Sequence, residues 1–293
     1  MIQLTRLSFL LFISILILPT DNTLAQERSF KIGANRTLFF GKSEKDASGK
    51  NLETFQQDYG FTAALMTEIE TNDNSGVRFE MTYARKNFTW NYSGQSFQIF
   101  DTEGGNKVYA KGQKTTTLKT KLYYFELPIM FYQRYEGFEI AGGVNLSLLV
   151  GANAKGTMTF DGTTERGTKI PIYTSDLVYK YNNDKITTVE LSDKTFTENG
   201  ETIKIPKTMG AYYETRTKVS SPFNRYNVGL NGDVAYWFGD RMALRLRASY
   251  NFLDLTSNKN TYQRQALNAD RTPIARKGYE NLFNYQLTLD FKL

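Results

Sequence analysis

Eleven charged residues carry what chemistry this sequence offers: Lys31, Glu68, Arg78, Glu80, Glu126, Arg134, Asp233, Arg245, Arg247, Asp290 and Lys292. Each falls on the polar phase of a stretch in which every second residue is apolar. Acids and bases nearly balance within the set. Such a constellation makes either a closed network of salt bridges and hydrogen bonds or a relay for ions or protons. Other chemistries are excluded by composition. With no histidine and no cysteine in 293 residues, the chain has no Ser-His-Asp triad, no thiol nucleophile, no disulfide, no histidine or cysteine zinc ligands and no lipoprotein cysteine. A lipid-modifying enzyme would have to use a Ser-Lys pair or carboxylates. No catalytic, metal or cofactor residue is assigned.

The elements that must position these charges are β-strands. In 283–293, Phe283, Tyr285, Leu287, Leu289, Phe291 and Leu293 alternate with Asn284, Gln286, Thr288, Asp290 and Lys292, the period of a strand with one apolar face. The same alternation marks strands at 30–40, 59–69, 77–92, 118–133, 138–151, 226–238 and 242–252. In the third the phase slips, because Phe88, Trp90 and Tyr92 are even-numbered, as expected either from a bulge near Arg85 or Lys86 or from a strand that leaves the membrane there. The fifth alternates without a fault. Nineteen Tyr and twenty-one Phe against two Trp and six Pro suit many pleated, half-covered strands.

Connections alternate long and short. Three tight turns would lie at one rim and four long loops at the other, the largest at about 154–224. The resulting expectation is all-β: an eight-stranded antiparallel up-and-down transmembrane β-barrel with both termini on one side. A soluble ligand-binding barrel has the same period with its apolar face inward. The small polar-phase residues, including Gly33, Ala64, Ala84, Ala141 and Gly143, and the bulk of the opposite set favour apolar-out. So do aromatic girdles at two levels: Phe30, Phe79, Phe131, Phe138, Phe238 and Phe291, then Tyr83, Tyr123, Tyr226, Tyr250, Phe252 and Phe283. Tyr124, Met130 and Tyr132 would point inward and leave no open pore. Residues 1–25 read as a cleaved export signal, with Arg6, an apolar run at 7–18 and Thr23-Leu24-Ala25 before the cut.

Four segments resemble the PorT-like family of small outer-membrane barrels, within the OmpX-type class. They are Phe30-Lys31-Ile32-Gly33-Ala34-Asn35, Tyr124-Phe125-Glu126-Leu127-Pro128-Ile129, Ala141-Gly142-Gly143-Val144 and Leu246-Arg247-Ala248-Ser249-Tyr250. The resemblance implies insertion in the outer membrane and, through PorT itself, a part in protein secretion. The 154–224 loop and the terminal Leu293 depart from the family pattern.

Function is therefore expected in the loops, as binding, adhesion or surface shielding, with a secretion or assembly component as the alternative. Asn199-Gly200, between 185–191 and 201–205, predicts a hairpin that either projects a pairing edge or shields. Expected partners are outer-membrane lipid and lipopolysaccharide, the barrel-assembly machinery during biogenesis, and an extracellular or secretion-system protein. The net charge of +6 is interleaved rather than clustered, which argues against nucleic acid. Termini are expected in the periplasm.

Overall fold

The computed structural model describes residues 26–181, 190–212, 221–257, 261–276, 278 and 280–293. The expected signal segment lies outside them. Among the described residues there are fourteen strands: β1 (Gln26–Phe40), β2 (Glu53–Asn72), β3 (Ser75–Asp101), β4 (Lys107–Tyr135), β5 (Phe138–Thr164), β6 (Tyr173–Lys180), β7 (Leu191–Glu198), β8 (Glu201–Pro206), β9 (Thr208–Gly210), β10 (Tyr226–Phe238), β11 (Met242–Asn251), β12 (Tyr262–Leu267), β13 (Pro273–Ala275) and β14 (Asn281–Lys292).

Eight of them close a ring in the order β10-β11-β14-β1-β2-β3-β4-β5, with β5 pairing back to β10. Every neighbour in the ring is antiparallel. Closure leaves the ring no open edge. The terminal strand forms the seam, since Phe30 stands opposite Phe291 and Leu38 opposite Phe283. Tight turns join β2 to β3, β4 to β5 and β10 to β11 at one end, here the turn end. At Glu136-Gly137 both residues have positive φ (42° and 90°), as a two-residue hairpin turn matched to strand twist requires.

Alternation resolves as apolar-out. Phe131 is 70% and Leu246 59% exposed, while Lys31, Arg78, Glu80 and Arg245 are wholly enclosed. The inward-apolar barrel is thereby excluded. The lumen is narrow, and small residues make room opposite large ones: Ala64 faces Lys31, Ala235 faces Arg245, Ala141 faces Asp233 and Ala243 faces Asp290.

Above the ring the walls do not end where alternation of the apolar-out kind ends. β2 begins at Glu53, β3 runs to Asp101 and β4 starts at Lys107. β5 continues to Thr164, so 154–164, expected as loop, is strand. β6 pairs with that extension and β9 adds in parallel. Two separate hairpins, β7–β8 and β12–β13, complete a loop-end head. In this head the polarity is reversed. The even face of β4 carries Glu126, Met130 and Tyr132 into the lumen and then Leu118, Leu122 and Tyr124 into an apolar core, while Lys119 and Lys121 point out.

This reversal corrects the expected phase slip in β3. Phe88, Trp90 and Tyr92 are buried on the same face as Arg78 and Glu80, and β3 keeps one register against β4 from Ser75 to Asp101. Only the chemistry of that face changes. The irregularity lies across the ladder in β2, where Tyr59 and Gly60 occupy the space opposite Lys86. Any side chain on Gly60 would put its Cβ 1.8 Å from the Arg85 carbonyl oxygen. A true slip occurs in β5, expected to be faultless: Tyr123 faces Gly151 but Tyr124 faces Leu149, so Val150 bulges and the inward set passes from odd to even.

Candidate functional site

Residues delivered inward by all eight strands of the ring fill the lumen with ion pairs. At its centre Arg78 lies 2.8 Å from Glu139, 3.4 Å from Glu80, 3.6 Å from Glu68 and 3.7 Å from Asp233. Arg245 reaches Asp290 at 2.6 Å, Asp233 at 2.7 Å and Glu139 at 2.8 Å. One layer on, Glu80 accepts from Lys31 at 2.6 Å and, with both oxygens, from Arg247, which also holds Asp233 at 2.5 Å. Closest to the head, Lys86 and Glu126 pair at 2.5 Å, with the Lys86 ammonium 5.1 Å from the Tyr124 ring centroid.

At the turn end Arg134 caps the lumen. Its side chain is 18% exposed, contacts Glu68, bonds Glu139 at 3.0 Å, and lies over the rings of Tyr132 and Trp237. Lys292 is also at this rim rather than inside, paired with Glu27 at 2.7 Å. The structure thus joins nine of the eleven expected residues in the enclosed lumen and sets Arg134 and Lys292 at its mouth. It adds Glu139 and Lys86, which the sequence set omits. Glu139 is on the polar phase of its strand, a signal already present. Lys86 was hidden by the expected slip. Six cations (Lys31, Arg78, Lys86, Arg134, Arg245, Arg247) then meet six anions (Glu68, Glu80, Glu126, Glu139, Asp233, Asp290). Each buried charge has an opposite charge in contact, the condition under which burial is tolerated. Among the described residues no group of three or more acids is arranged to hold a metal.

The lumen is stoppered at the loop end by the apolar core of the head, built from Phe88, Trp90, Leu118, Leu122, Tyr124, Leu149, Phe160, Tyr173 and their neighbours. The β7–β8 hairpin lies over it. Asn199 and Gly200 take φ of 50° and 78°, the conformation that an Asn-Gly hairpin turn demands. Phe196, Ile203 and Ile205 are buried in the same core, and the Phe196 ring meets Phe100 edge-on at 5.1 Å. The hairpin is therefore packed rather than free. Its expected first arm began at 185, of which 185–189 lies outside the described residues.

Beside this core is a pocket of about 90 Å³ walled by Phe39, Phe88, Trp90 and Tyr262, with Glu53 and Glu280 among its polar groups. Glu53 accepts from Trp90 Nε1 at 3.2 Å and from Arg276 Nη1 at 2.6 Å. The Arg264 guanidinium stacks 4.4 Å from the Trp90 ring centroid. Burial pushes the Glu280 carboxyl above its ordinary range, against opposition from Thr256 and Arg276. This pocket is not legible in the sequence, because Phe88 and Trp90 read as residues past a bulge or at the end of a membrane strand.

A closed antiparallel ring with an apolar exterior and an ionic interior defines a membrane-spanning β-barrel. Residues 24–257 match the family model described as "Outer membrane protein beta-barrel domain". The chain belongs to that family and is an outer-membrane protein. The match stops short of β14, the strand that closes the ring. Among solved structures the chain is similar to Ail, the attachment invasion locus protein of Yersinia pestis, in a complex with the heparin analogue sucrose octasulfate. That match has 9% identity, covers 92% of this chain and 99% of the other, and has a TM-score of 0.34. Neisserial surface protein A matches at 12% identity over 90% of this chain and 97% of the other (TM-score 0.34). OprG of Pseudomonas aeruginosa matches at 12% over 92% and 97% (TM-score 0.33). No curated protein matches the chain in sequence.

Proposed function

We propose that this chain is a non-enzymatic, eight-stranded up-and-down transmembrane barrel with periplasmic termini, whose loop end stands outside the cell and binds, adheres or shields. The observation that carries this reading is the division of the molecule into a stoppered ionic lumen and a folded head. An enclosed network with every charge matched offers no passage, whereas the head commits the extensions of four ring strands, β6, β9 and two hairpins to a folded surface. A non-enzymatic role is supported by the lack of histidine and cysteine and by the engagement of every lumen acid with a cation. The PorT-like resemblance of the strand motifs adds the alternative of a secretion component, and biogenesis would pass through the barrel-assembly machinery.

The test is an epitope inserted at Asn199-Gly200, the exposed hairpin tip. Antibody labelling and protease cleavage in intact cells are the expected results. Protection until lysis would overturn the proposed orientation or place a partner complex over the head, and the secretion reading would then take precedence.

A further inference from the structure

We propose that Lys119, Lys121, Lys155 and Lys180 form a site for the phosphates of a lipid head group in the outer leaflet. The proposal rests on the reading that the loop end lies on the outer side, and it names what that side of the barrel wall binds. All four side chains are exposed on the outer face of three adjacent strands. Register places Lys119 directly opposite Lys155, and Lys121 and Lys180 on either side of Asn153. With strands about 4.8 Å apart and alternate residues about 6.8 Å apart along a strand, four ammonium groups share a patch that one bisphosphorylated head group can span.

Two features separate this patch from ordinary solvated lysines. First, its charges are left without partners. Elsewhere on the head several exposed charges are paired, as Arg271 with Glu165 at 2.7 Å, Lys207 with Glu190 at 3.8 Å and Lys169 with Asp161, and the unpaired Lys111 and Lys204 stand opposite Thr163 and Thr195 rather than opposite another lysine. Among the described residues none of the four lysines makes an ion pair, and the acid nearest to them by register, Asp176, is diagonal to Lys155, opposite Thr157. Like charges directly opposite in a sheet are destabilising, so the Lys119–Lys155 pair favours an anion between them. Second, the patch has a defined height. Lys121 is the next outward residue after Tyr123, and Phe125, Leu127, Ile129 and Phe131 continue the same outward row. From Phe131 to Lys121 is about 34 Å along the strand at roughly 3.4 Å per residue, or about 26 Å across the membrane at a tilt of roughly 40°, which matches the height of an outer-membrane apolar band. The lysines therefore begin where acyl chains end and phosphates lie.

The probe is lipid A carrying both phosphates, added to the full-length mature barrel folded in neutral detergent, with bound lipid counted by native mass spectrometry. The wild type is expected to retain it. A Lys119→Gln, Lys121→Gln, Lys155→Gln, Lys180→Gln variant should bind at least about tenfold more weakly, since each lysine near an anionic surface contributes several-fold. The corresponding four Lys→Arg changes should restore retention, and Lys111→Gln with Lys204→Gln should leave it unchanged. Equal retention by the Gln variant, or equal binding of lipid A stripped of phosphate, would overturn the site. Displacement by inorganic phosphate at the same concentration as the lipid would overturn the lipid as its source. A wrong orientation would show instead in the epitope experiment, with this titration intact.

Discussion

Glu139 is the residue on which the lumen turns. Its two oxygens take Arg78 and Arg245 at 2.8 Å and Arg134 at 3.0 Å, with Trp237 Nε1 at 3.3 Å. Glu139→Ala would take a shared carboxylate from three guanidinium groups, two of them wholly enclosed, and leave six cations facing five anions although Arg78 keeps Glu80, Arg245 keeps Asp233 and Asp290, and Arg134 keeps Glu68. Removing one partner of a buried pair costs about 3–5 kcal/mol, so the urea midpoint of folding into vesicles should fall by that equivalent. The peripheral pair behaves differently. Replacing Lys86 and Glu126 together by Met and Leu removes both charges at the boundary with the apolar core, and buried pairs exchanged for packed apolar residues are often neutral or better. A loss as large as that of Glu139→Ala would show that the Lys86–Glu126 pair contributes to stability in its own right. At this scale the sequence was informative about membership but not about neighbours. Alternation identified Lys31, Glu80, Asp233 and Arg247 as facing one way, yet which acid meets which base depends on strand stagger around the ring, which no local pattern encodes.

At the scale of elements, alternation of period two proved reliable and the meaning of its two faces did not. A strand that crosses a membrane and continues into a folded head must reverse its polarity at the boundary, because water and lipid exchange places outside while the interior remains enclosed. Along β4 this happens between Glu126 and Leu122 with no change of register against β3. Read from sequence, that reversal is indistinguishable from a slipped phase or a strand end, so the expected strands stop at 92, start at 118 and stop at 151, short of the observed ends at Asp101, Lys107 and Thr164. The reversal predicts sharply different effects at neighbouring positions. Leu118→Asp would bury an unpaired carboxylate in the head core and cost about 3–5 kcal/mol. Thr115→Asp, exposed on the opposite face, should lie within about 0.5 kcal/mol of the wild type. Limited proteolysis should cut the head of the first variant readily while its ring still resists, and leave the second as resistant as wild type. Equal resistance in both would mean that the interior of the head is not the even face.

At the scale of the whole molecule, the two plugs act in series and determine what can cross. An eight-stranded ring has an interior just wide enough for side chains, and here it holds Met130 and Tyr132 together with the matched charges. An ion entering from the turn end would have to displace Arg134 from Glu68 and Glu139, then part Arg78 and Arg245 from their shared carboxylates. It would next meet an apolar core that offers it no ligand. Salt does not assist, since enclosed pairs are screened far less than exposed ones. Planar-bilayer recordings of the purified barrel in 1 M salt should therefore show no unitary current steps. Opening the network alone should not change this: Arg78→Ala with Arg245→Ala removes the two central cations but leaves Leu118, Leu122, Tyr124 and the β7–β8 hairpin across the path. Steady conductance in the wild type would contradict a sealed lumen. Conductance confined to the double variant would show that the ionic layer is the sole barrier and that the head core is permeable, in which case the loop end would be a gate rather than a stopper.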